Sequence, residues 1–314
     1  MFRFLTRRLA FMAVTLLIVS VVIFGVTELL PGDVAVMILG SEATDETLTA
    51  LRTQLGLDRP AAARYADWLS GAARGDFGES LRMRTEVGPL VLERFKNSLA
   101  LAGIALALGV PLALGLGIIA GLRKDRPADK AITITTLLGI SVPEFVIGSV
   151  LIMLFASIWP VLPATSMIDP GGNPLSNVRF LILPAITLVL VTLAHTARMT
   201  RSSVIRVMRT DYVRTATLKG MPRSRVIMRH VLPNALLPTI TVIALNIGWM
   251  IGGLIVVETV FAYPGLGQLM IFAVTNRDVP LVQAVALLVA LIYAVANLGA
   301  DLLYAVLNPR IRYS

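Results

Sequence analysis

The residues of this sequence that stand out as candidates for binding are isolated polar side chains inside long apolar stretches. Glu144 lies about midway along one such stretch, directly after Pro143, and Asn246 lies near the middle of another. A charge or an amide is costly inside a membrane, so it usually faces protein or a water-filled path. We therefore predict that Glu144 and Asn246 line a path or contact a substrate. The alternative is that each only packs among helices.

Two further acidic residues lie near the ends of apolar stretches. Glu258 follows the stretch that contains Asn246, and Asp301 lies near the end of the last stretch. We expect Glu258 to order the loop that follows it and Asp301 to pair with a loop arginine.

The sequence lacks the residue types that most catalytic centres need. Cysteine is absent, which excludes disulfides, thiolate metal sites and cysteine nucleophiles. The only histidines, His195 and His230, are far apart in sequence, and no HExxH or GxSxG pattern occurs. No lysine follows a glycine, so the Gly-Lys-Ser/Thr signature of a phosphate-binding loop is missing. We expect no catalytic residue, no metal site and no cofactor in this chain.

The composition is typical of a membrane protein. Of the 314 residues, 56% are hydrophobic and 15% are charged, with a mean hydropathy of +0.80, whereas soluble proteins carry about 25% charge. A net charge of +9 would suggest nucleic acid as the partner of a soluble protein. Because lysine and arginine also collect on the cytoplasmic side of membrane proteins, we predict the lipid bilayer, and no nucleic acid, as a partner.

Six apolar runs are long enough to cross a bilayer, which takes roughly 20 residues per helix. They are Leu9–Thr27, Ser98–Leu122, Ala131 to about Trp159, Phe180–Ala197, a run within Val231–Val257, and Val279–Ala300. In this arrangement the basic N-terminus, the basic connections after the second and fourth runs, and the basic C-terminus fall on one side. We predict an all-α polytopic membrane protein with six transmembrane helices and both termini in the cytoplasm.

The spans and their connections are predicted to form one membrane domain over 1–314. Residues 31–97 form an external segment with short helices that begin after Thr44 and at Pro60, followed by an interfacial helix. Residues 259–280 form a second external loop, which is predicted to be re-entrant. No internal repeat of 20–50 residues divides the chain.

The cytoplasmic loop over 198–233 is predicted to fold into helices. Its first 32 residues hold nine lysines and arginines against a single acid, Asp211. A helix over 212–219 ends at Gly220, and a second short helix runs from Pro222 to about residue 231. In the first of these helices and at its end, Thr215, Ala216 and Gly220 are small, so we expect them to form a surface that another protein's backbone approaches closely.

This loop resembles a motif of a known family. The run Tyr212-Val213-Arg214-Thr215-Ala216-Thr217-Leu218-Lys219-Gly220, followed by Leu232-Pro233, is similar to the EAA loop of ABC importer permeases, although of the trio at 214–216 only the alanine matches. Other stretches resemble the dipeptide/oligopeptide/nickel branch of these permeases: Gly56-Leu57-Asp58-Arg59-Pro60, Arg74-Gly75-Asp76-Phe77-Gly78, Phe261-x-x-Pro264-Gly265-Leu266-Gly267, Asn276-Arg277-Asp278 and Asn308-Pro309-Arg310. The likeness covers the whole chain and is closest to the B-type of the two paired permeases.

The resemblance implies a type I ABC importer permease fold and a transport role without chemistry of its own. In that family a second homologous permease subunit completes the path. Two cytoplasmic ATPase subunits hold ATP and Mg, and an extracytoplasmic binding protein delivers the solute. The implied location is the cytoplasmic (inner) membrane of a bacterium or archaeon. Dipeptides, oligopeptides, glutathione and nickel complexes all remain open as solutes.

The resemblance also implies roles for particular residues. Contact with the ATPase is implied for Tyr212, Arg214, Thr215, Ala216, Lys219, Gly220, Leu232 and Pro233. Docking of the binding protein is implied for Tyr263, Pro264, Gly265 and Gly267, with a plain re-entrant loop as the alternative.

Two other functions compete with this interpretation. A stand-alone secondary transporter or channel would use the basic loop only for orientation or for binding anionic lipid. Such proteins often show paired intramembrane charges or internal symmetry, and neither is evident. An intramembrane enzyme is disfavoured by the missing catalytic motifs.

Overall fold

The computed structural model describes residues 2–29, 36, 44–54, 58–168 and 171–307. Gly56, Leu57 and the stretch Asn308-Pro309-Arg310, which carry part of the resemblance, lie outside these ranges. The described chain is built of α-helices: α1 (Phe2–Leu29), α2 (Asp45–Gln54), α3 (Ala61–Ala73), α4 (Val87–Leu122), α5 (Pro127–Ser141), α6 (Glu144–Ile152), α7 (Ile182–Met208), α8 (Asp211–Leu218), α9 (Arg223–Val226), α10 (Leu232–Val260), α11 (Leu266–Thr275) and α12 (Val279–Leu307). Short π-helical turns cover Met153–Ile158 and Ile227–Val231, and a 3₁₀ turn covers Val178–Phe180.

The number of candidate membrane spans agrees with the sequence. In the described residues five helical runs are long and apolar enough to cross a bilayer, and the bent pair α5–α6 raises the number to six. The second span is longer than predicted, because the expected interfacial helix and the span form one helix, α4, from Val87 to Leu122.

The third candidate span is bent into two helices, which corrects the prediction of one helix from Ala131. Helices α5 and α6 meet at an angle of 103°. The break lies at Val142, whose backbone is extended with φ −99° and ψ 127°. Proline disfavours the helical conformation of the residue before it, so Pro143 ends α5 and becomes the N-cap of α6. At the other end α5 begins at Pro127, where a proline is well tolerated because the first helical N–H needs no partner.

The loop after α7 contains one separate short helix, where two were predicted. Helix α8 ends as expected, with Gly220 at φ +74°, a conformation that favours glycine. The second helix is not separate, because α9, a π turn and α10 form one helical run from Arg223 to Val260. The π turn directly precedes Leu232 and Pro233. A proline ring clashes with the carbonyl four residues earlier in a regular α-helix, and the wider turn accommodates it.

The described chain divides into two compact units, and the larger one contains the described residues of Lys96–Gln268 and of Val295–Ser314. Its core joins α4, α7, α10 and the loop after α10, with Leu101, Leu188, Val257 and Phe261 almost completely buried. Helices α7 and α10 form the most extensive helix pair. This unit holds the predicted path residues and the basic 198–233 loop.

The smaller unit contains Phe2–Phe95 and Leu269–Ala294. Its helices α2 and α3 confirm the two short helices predicted in the 31–97 segment, and Thr44 caps α2 by accepting a hydrogen bond from the backbone N–H of Thr47 at 3.2 Å. Helix α3 packs against α1 through an aromatic cluster, in which the ring of Tyr65 lies 5.4 Å from that of Phe24. In addition, Tyr65 and Ser20 share a hydrogen bond of 2.8 Å.

Candidate functional site

A cavity of about 870 Å³ lies within the larger unit, between α5, α6, α7 and α10. Most of its wall is apolar or glycine. The polar and aromatic side chains that line it are Glu144, Phe145, Thr192, His195, Asn246 and Trp249. The structure therefore brings together the two predicted path residues, Glu144 and Asn246, which are about a hundred residues apart in sequence.

Glu144 lies at the start of α6, immediately after the break at Pro143. Both of its carboxylate oxygens are 3.2 Å from the position that a Cβ at Gly253 would occupy. The missing side chain at Gly253 therefore makes room for the carboxylate against α10. Within the described part of the chain, Glu144 forms no ion pair and its carboxylate accepts no hydrogen bond.

Asn246 forms a wall of the cavity and also connects two helices. Its side chain is 7% exposed, and its Nδ2 donates to Thr196 Oγ1 at 2.9 Å. Thr196 in turn donates to the carbonyl of Thr192 at 3.2 Å. Asn246 thus holds α10 against α7, so the packing alternative applies to it in addition to its place at the cavity.

Among the cavity residues that were not predicted as path candidates are His195 and Trp249. His195 is exposed to the cavity, and its ring centroid lies 5.9 Å from that of Trp249. A helical pattern could have identified them, because Asn246, Trp249 and Gly253 lie on one face of α10 at i, i+3 and i+7. Thr192 and His195 have the same relation on α7.

Glu258 organises the loop between α10 and α11, as expected. It is fully buried, and its carboxylate accepts hydrogen bonds from Ser98 Oγ at 2.5 Å and from the backbone N–H groups of Gly267 at 2.6 Å and Gln268 at 3.3 Å. Those N–H groups begin α11, where a helix leaves its donors unsatisfied and favours a negative charge. Glu258 therefore caps α11 from the end of α10.

The residues assigned to docking of a binding protein are mostly buried around Glu258. The side chain of Tyr263 is fully buried and donates to the carbonyl of Asn97 at 2.7 Å, while burial and the nearby Glu258 raise the pKa of Tyr263. Gly265 and Gly267 are also buried, and a Cβ at Gly265 would collide with the Glu258 carboxylate. Of the four, only Pro264 is half-buried. These side chains shape the loop, and their docking role stays a prediction.

Helix α8 shows which side of the 198–233 loop is available for contact. Ala216 is 6% exposed and packs with Val213, Val204 and Val226. The expectation that Ala216 forms part of an exposed small-residue surface is therefore wrong. The exposed residues are Asp211, Tyr212, Arg214, Thr215, Thr217, Leu218, Lys219 and Gly220, with Leu218 at 78% exposure. At the start of α10, Leu232 is half-buried and Pro233 is exposed.

An ion pair between the first turn of α5 and helix α7 was not predicted. Arg201 donates from Nε to Asp129 Oδ1 at 2.5 Å and from Nη2 to Asp129 Oδ2 at 2.7 Å. The Asp129 side chain is only 3% exposed. Such a bidentate pair is among the stronger and more directional polar contacts. An acid in the first turn after Pro127 was the available signal, but its partner is 72 residues away.

Two models of known protein families match this chain, one over its N-terminal part and one over the rest. The model of the family described as "Binding-protein-dependent transport system inner membrane component" matches residues 113–313. The model of the N-terminal part of such membrane components matches residues 1–102. The chain belongs to this family of ABC importer permeases.

Close relatives of this permease match it over its full length. It is 36% identical over 312 residues to the probable peptide ABC transporter permease y4tP of Sinorhizobium fredii, with 99% of each chain covered. It is 38% identical over 313 residues to the glutathione transport system permease GsiC of Escherichia coli K12, with 100% of each chain covered. A putative peptide transport system permease of Brucella abortus is 36% identical, with 98% of each chain covered.

A solved structure of an amino acid ABC transporter with histidines has the same fold. The TM-score is 0.51 at 17% identity, and the match covers 71% of this permease and 94% of that chain. At this identity the likeness concerns the fold.

Membership in the family defines the class of protein and its location. The permease is a multi-pass protein of the bacterial inner membrane and a component of a binding-protein-dependent importer. Permease components are not themselves catalytic, and a stand-alone transporter or channel is not favoured.

Proposed function

We propose that this permease imports peptides or a related small solute, such as glutathione, by alternating access. The names of the full-length relatives, two peptide permeases and one glutathione permease, support this solute class. The observation that carries the proposal is the cavity of about 870 Å³ at the break between α5 and α6. Its volume falls in the range of cavities that hold small ligands. In this proposal Glu144 and Asn246 line the translocation path.

The proposed topology has both termini and the basic 198–233 loop in the cytoplasm. The rule that lysine and arginine collect on the cytoplasmic side supports it. The 31–97 segment and the 259–280 loop then face outwards, where a binding protein docks. Since Tyr263, Gly265 and Gly267 are buried, the docking surface in this proposal consists of the outer faces of the loop that they shape, including Pro264.

The proposed complex contains a second homologous permease, two cytoplasmic ATPase subunits and an extracytoplasmic binding protein. ATP and Mg are held by the ATPase subunits, since this chain lacks a phosphate-binding loop. The exposed face of α8, with Tyr212, Thr215 and Leu218, is the proposed ATPase contact. Closure of the ATPase dimer shifts the permease between its two states if one state binds the dimer better. A shift from 1:99 to 99:1 takes about 5.5 kcal/mol.

Uptake by the complete, reconstituted transporter tests the proposal. The permease pair, the ATPases and the binding protein are assembled in proteoliposomes, and accumulation of a labelled dipeptide and of labelled glutathione is measured. We expect accumulation of at least one of them only with ATP and the binding protein. The matched control contains an ATPase variant that binds ATP but does not hydrolyse it. Equal uptake in the control, or uptake without the binding protein, would contradict the proposal and favour a stand-alone transporter.

A further inference from the structure

We propose that Glu144 forms an ammonium-binding site, in which its carboxylate pairs with the positively charged amino group of the transported solute. The inference rests on the proposed function and specifies the chemistry of its path. Three features of the described part of the structure support it: Glu144 is the lone acidic side chain of the cavity, its carboxylate has no bonding partner, and the residues around it suit an organic cation.

Glu144 is the only Asp, Glu, Lys or Arg among the described residues that line the cavity. The remaining polar side chains are an asparagine, a threonine and a histidine. A single negative charge in a largely apolar wall focuses its field into the cavity, because little water is present to screen it. The cavity therefore attracts a cationic group and repels a carboxylate, which orients a zwitterionic solute with its amino end toward Glu144.

The carboxylate is available for a ligand. Glu144 has no ion pair or hydrogen bond within the described chain, unlike Glu258 and Asp129, whose carboxylates are bound by nearby donors. Half-burying a carboxylate without a partner costs free energy. The protein nevertheless holds it in place through the break at Pro143 and the space above Gly253. A site kept open in this way fits a partner that arrives and leaves.

The surrounding wall favours an organic ammonium over a metal ion. The described residues contain no group of three or more His, Cys, Asp or Glu side chains that could hold a metal. Trp249 is 71% exposed beside the cavity, and aromatic rings attract ammonium groups through their π-face. The α-amino group has a pKa of about 7.7–8.0, so most of it is charged at neutral pH. Peptides share this group whatever their side chains, and glutathione carries one too.

The absence of cysteine from the natural chain permits a direct measurement of the charge in the cavity. Thr192 lines the cavity and is close in size to cysteine, so Thr192→Cys introduces the only thiol of this chain there. The complete transporter is treated with a trimethylammonium-ethyl methanethiosulfonate or with its anionic sulfonatoethyl counterpart. The two rates of modification at position 192 are measured by mass spectrometry, and Val191→Cys replaces Thr192→Cys if the latter does not assemble.

We expect the cationic reagent to react faster, and the ratio of cationic to anionic rates to fall about tenfold or more with Glu144→Gln, since a focused charge concentrates counter-ions by that much. Glu144→Asp should keep the preference because it keeps the charge. Glu86→Gln is the matched control, because Glu86 is exposed and does not line the cavity, and it should leave the ratio unchanged. A ratio that Glu144→Gln leaves unchanged overturns the inference.

Protection by substrate analogues distinguishes this inference from the proposed function. Alanyl-alanine at millimolar concentration should slow modification severalfold, whereas N-acetyl-alanyl-alanine, which lacks the ammonium group, should not. Equal protection by both, or protection by neither, overturns the ammonium site. ATP-dependent uptake by the unmodified transporter is measured separately. If uptake is ATP-dependent but Glu144→Gln has no effect on protection, the inference fails and the function stands. If protection depends on Glu144 but uptake needs no ATP, the function fails and the site stands.

Discussion

Glu258 shows how a single buried carboxylate determines the shape of an entire loop. Its carboxylate accepts a hydrogen bond from the hydroxyl of Ser98 and from two backbone N–H groups at the start of α11. Glu258→Ala leaves these donors buried without an acceptor, at a cost of about 1–3 kcal/mol for each. We expect the purified complex to lose thermal stability by several degrees or to fail to assemble, measured by size-exclusion chromatography after heating.

Glu258→Gln is the matched variant of the same size. Its carbonyl oxygen still accepts one or two of the hydrogen bonds, but its amide group faces donors, so we expect an intermediate loss. Glu86→Gln, at an exposed position, should melt with the unmodified complex. Equal stability of Glu258→Ala and the unmodified complex would show that the cap of α11 is not held by this carboxylate.

At the scale of residues, the sequence predicts positions better than partners. Glu144, Asn246 and Glu258 could be identified because a polar side chain stands out in an apolar run. The pair of Asp129 and Arg201 could not be identified, because both lie in charged stretches and their pairing depends on how α5 meets α7. The burial of Ala216 could not be predicted either, because a helix of eight residues has too few apolar positions to define its buried face.

At the scale of helices, the contact between α4 and α7 depends on two glycines. A Cβ at Gly117 would lie 2.5 Å from the carbonyl oxygen of Ala197 and 2.5 Å from Thr200 Cβ, and a Cβ at Gly121 would lie 2.7 Å from Val204 Cβ. Small residues at such spacing let membrane helices approach closely. Since backbone atoms cannot move aside locally, a larger residue must push the helices apart.

Gly117 and Gly115 allow this contact to be tested within one helix. Gly117→Ala should destabilise the complex by about 1–3 kcal/mol because it overpacks the contact, seen as a lower melting temperature. Nothing lies within 4 Å of a Cβ at Gly115, so Gly115→Ala should be neutral or slightly stabilising, as alanine favours helix more than glycine does. The same loss for both variants would mean that helix propensity, and not the close approach, decides the effect.

The existence of the helices was predicted, but their breaks and joins were not. Apolar runs of sufficient length identified all six candidate spans. Proline has different effects in three of them, however. Pro143 breaks the third span, whereas Pro111 and Pro238 lie within continuous helices. In a membrane, neighbouring helices and side chains can satisfy the backbone groups that proline frees. The outcome therefore depends on tertiary packing that the local sequence does not contain.

At the scale of the whole chain, the spans differ greatly in how far the chain itself buries them. We compare the most apolar 18-residue stretch of each span. In the first span 6% of that stretch is buried inside the chain, and in the span of α7 56% of it is buried. An apolar helix that its own chain leaves exposed must face lipid or another subunit. The chain is therefore suited to act within a bilayer and a larger complex, in agreement with its family.

Contact with the ATPase can be tested by placing the same side chain at two neighbouring positions of α8. Leu218 is 78% exposed, whereas Ala216 is 6% exposed within the cluster around Val204 and Val226. Leu218→Arg adds a cation near the C-terminal end of the helix, where the helix dipole tolerates it. The permease should therefore keep its thermal stability but should lose most of the co-purifying ATPase and of the ATP-dependent uptake. Ala216→Arg should instead destabilise the permease itself, because it buries an unpaired charge. If Leu218→Arg left ATPase binding and uptake intact, the exposed face of α8 would not be the coupling surface, and the exposed Pro233 would be the next position to examine.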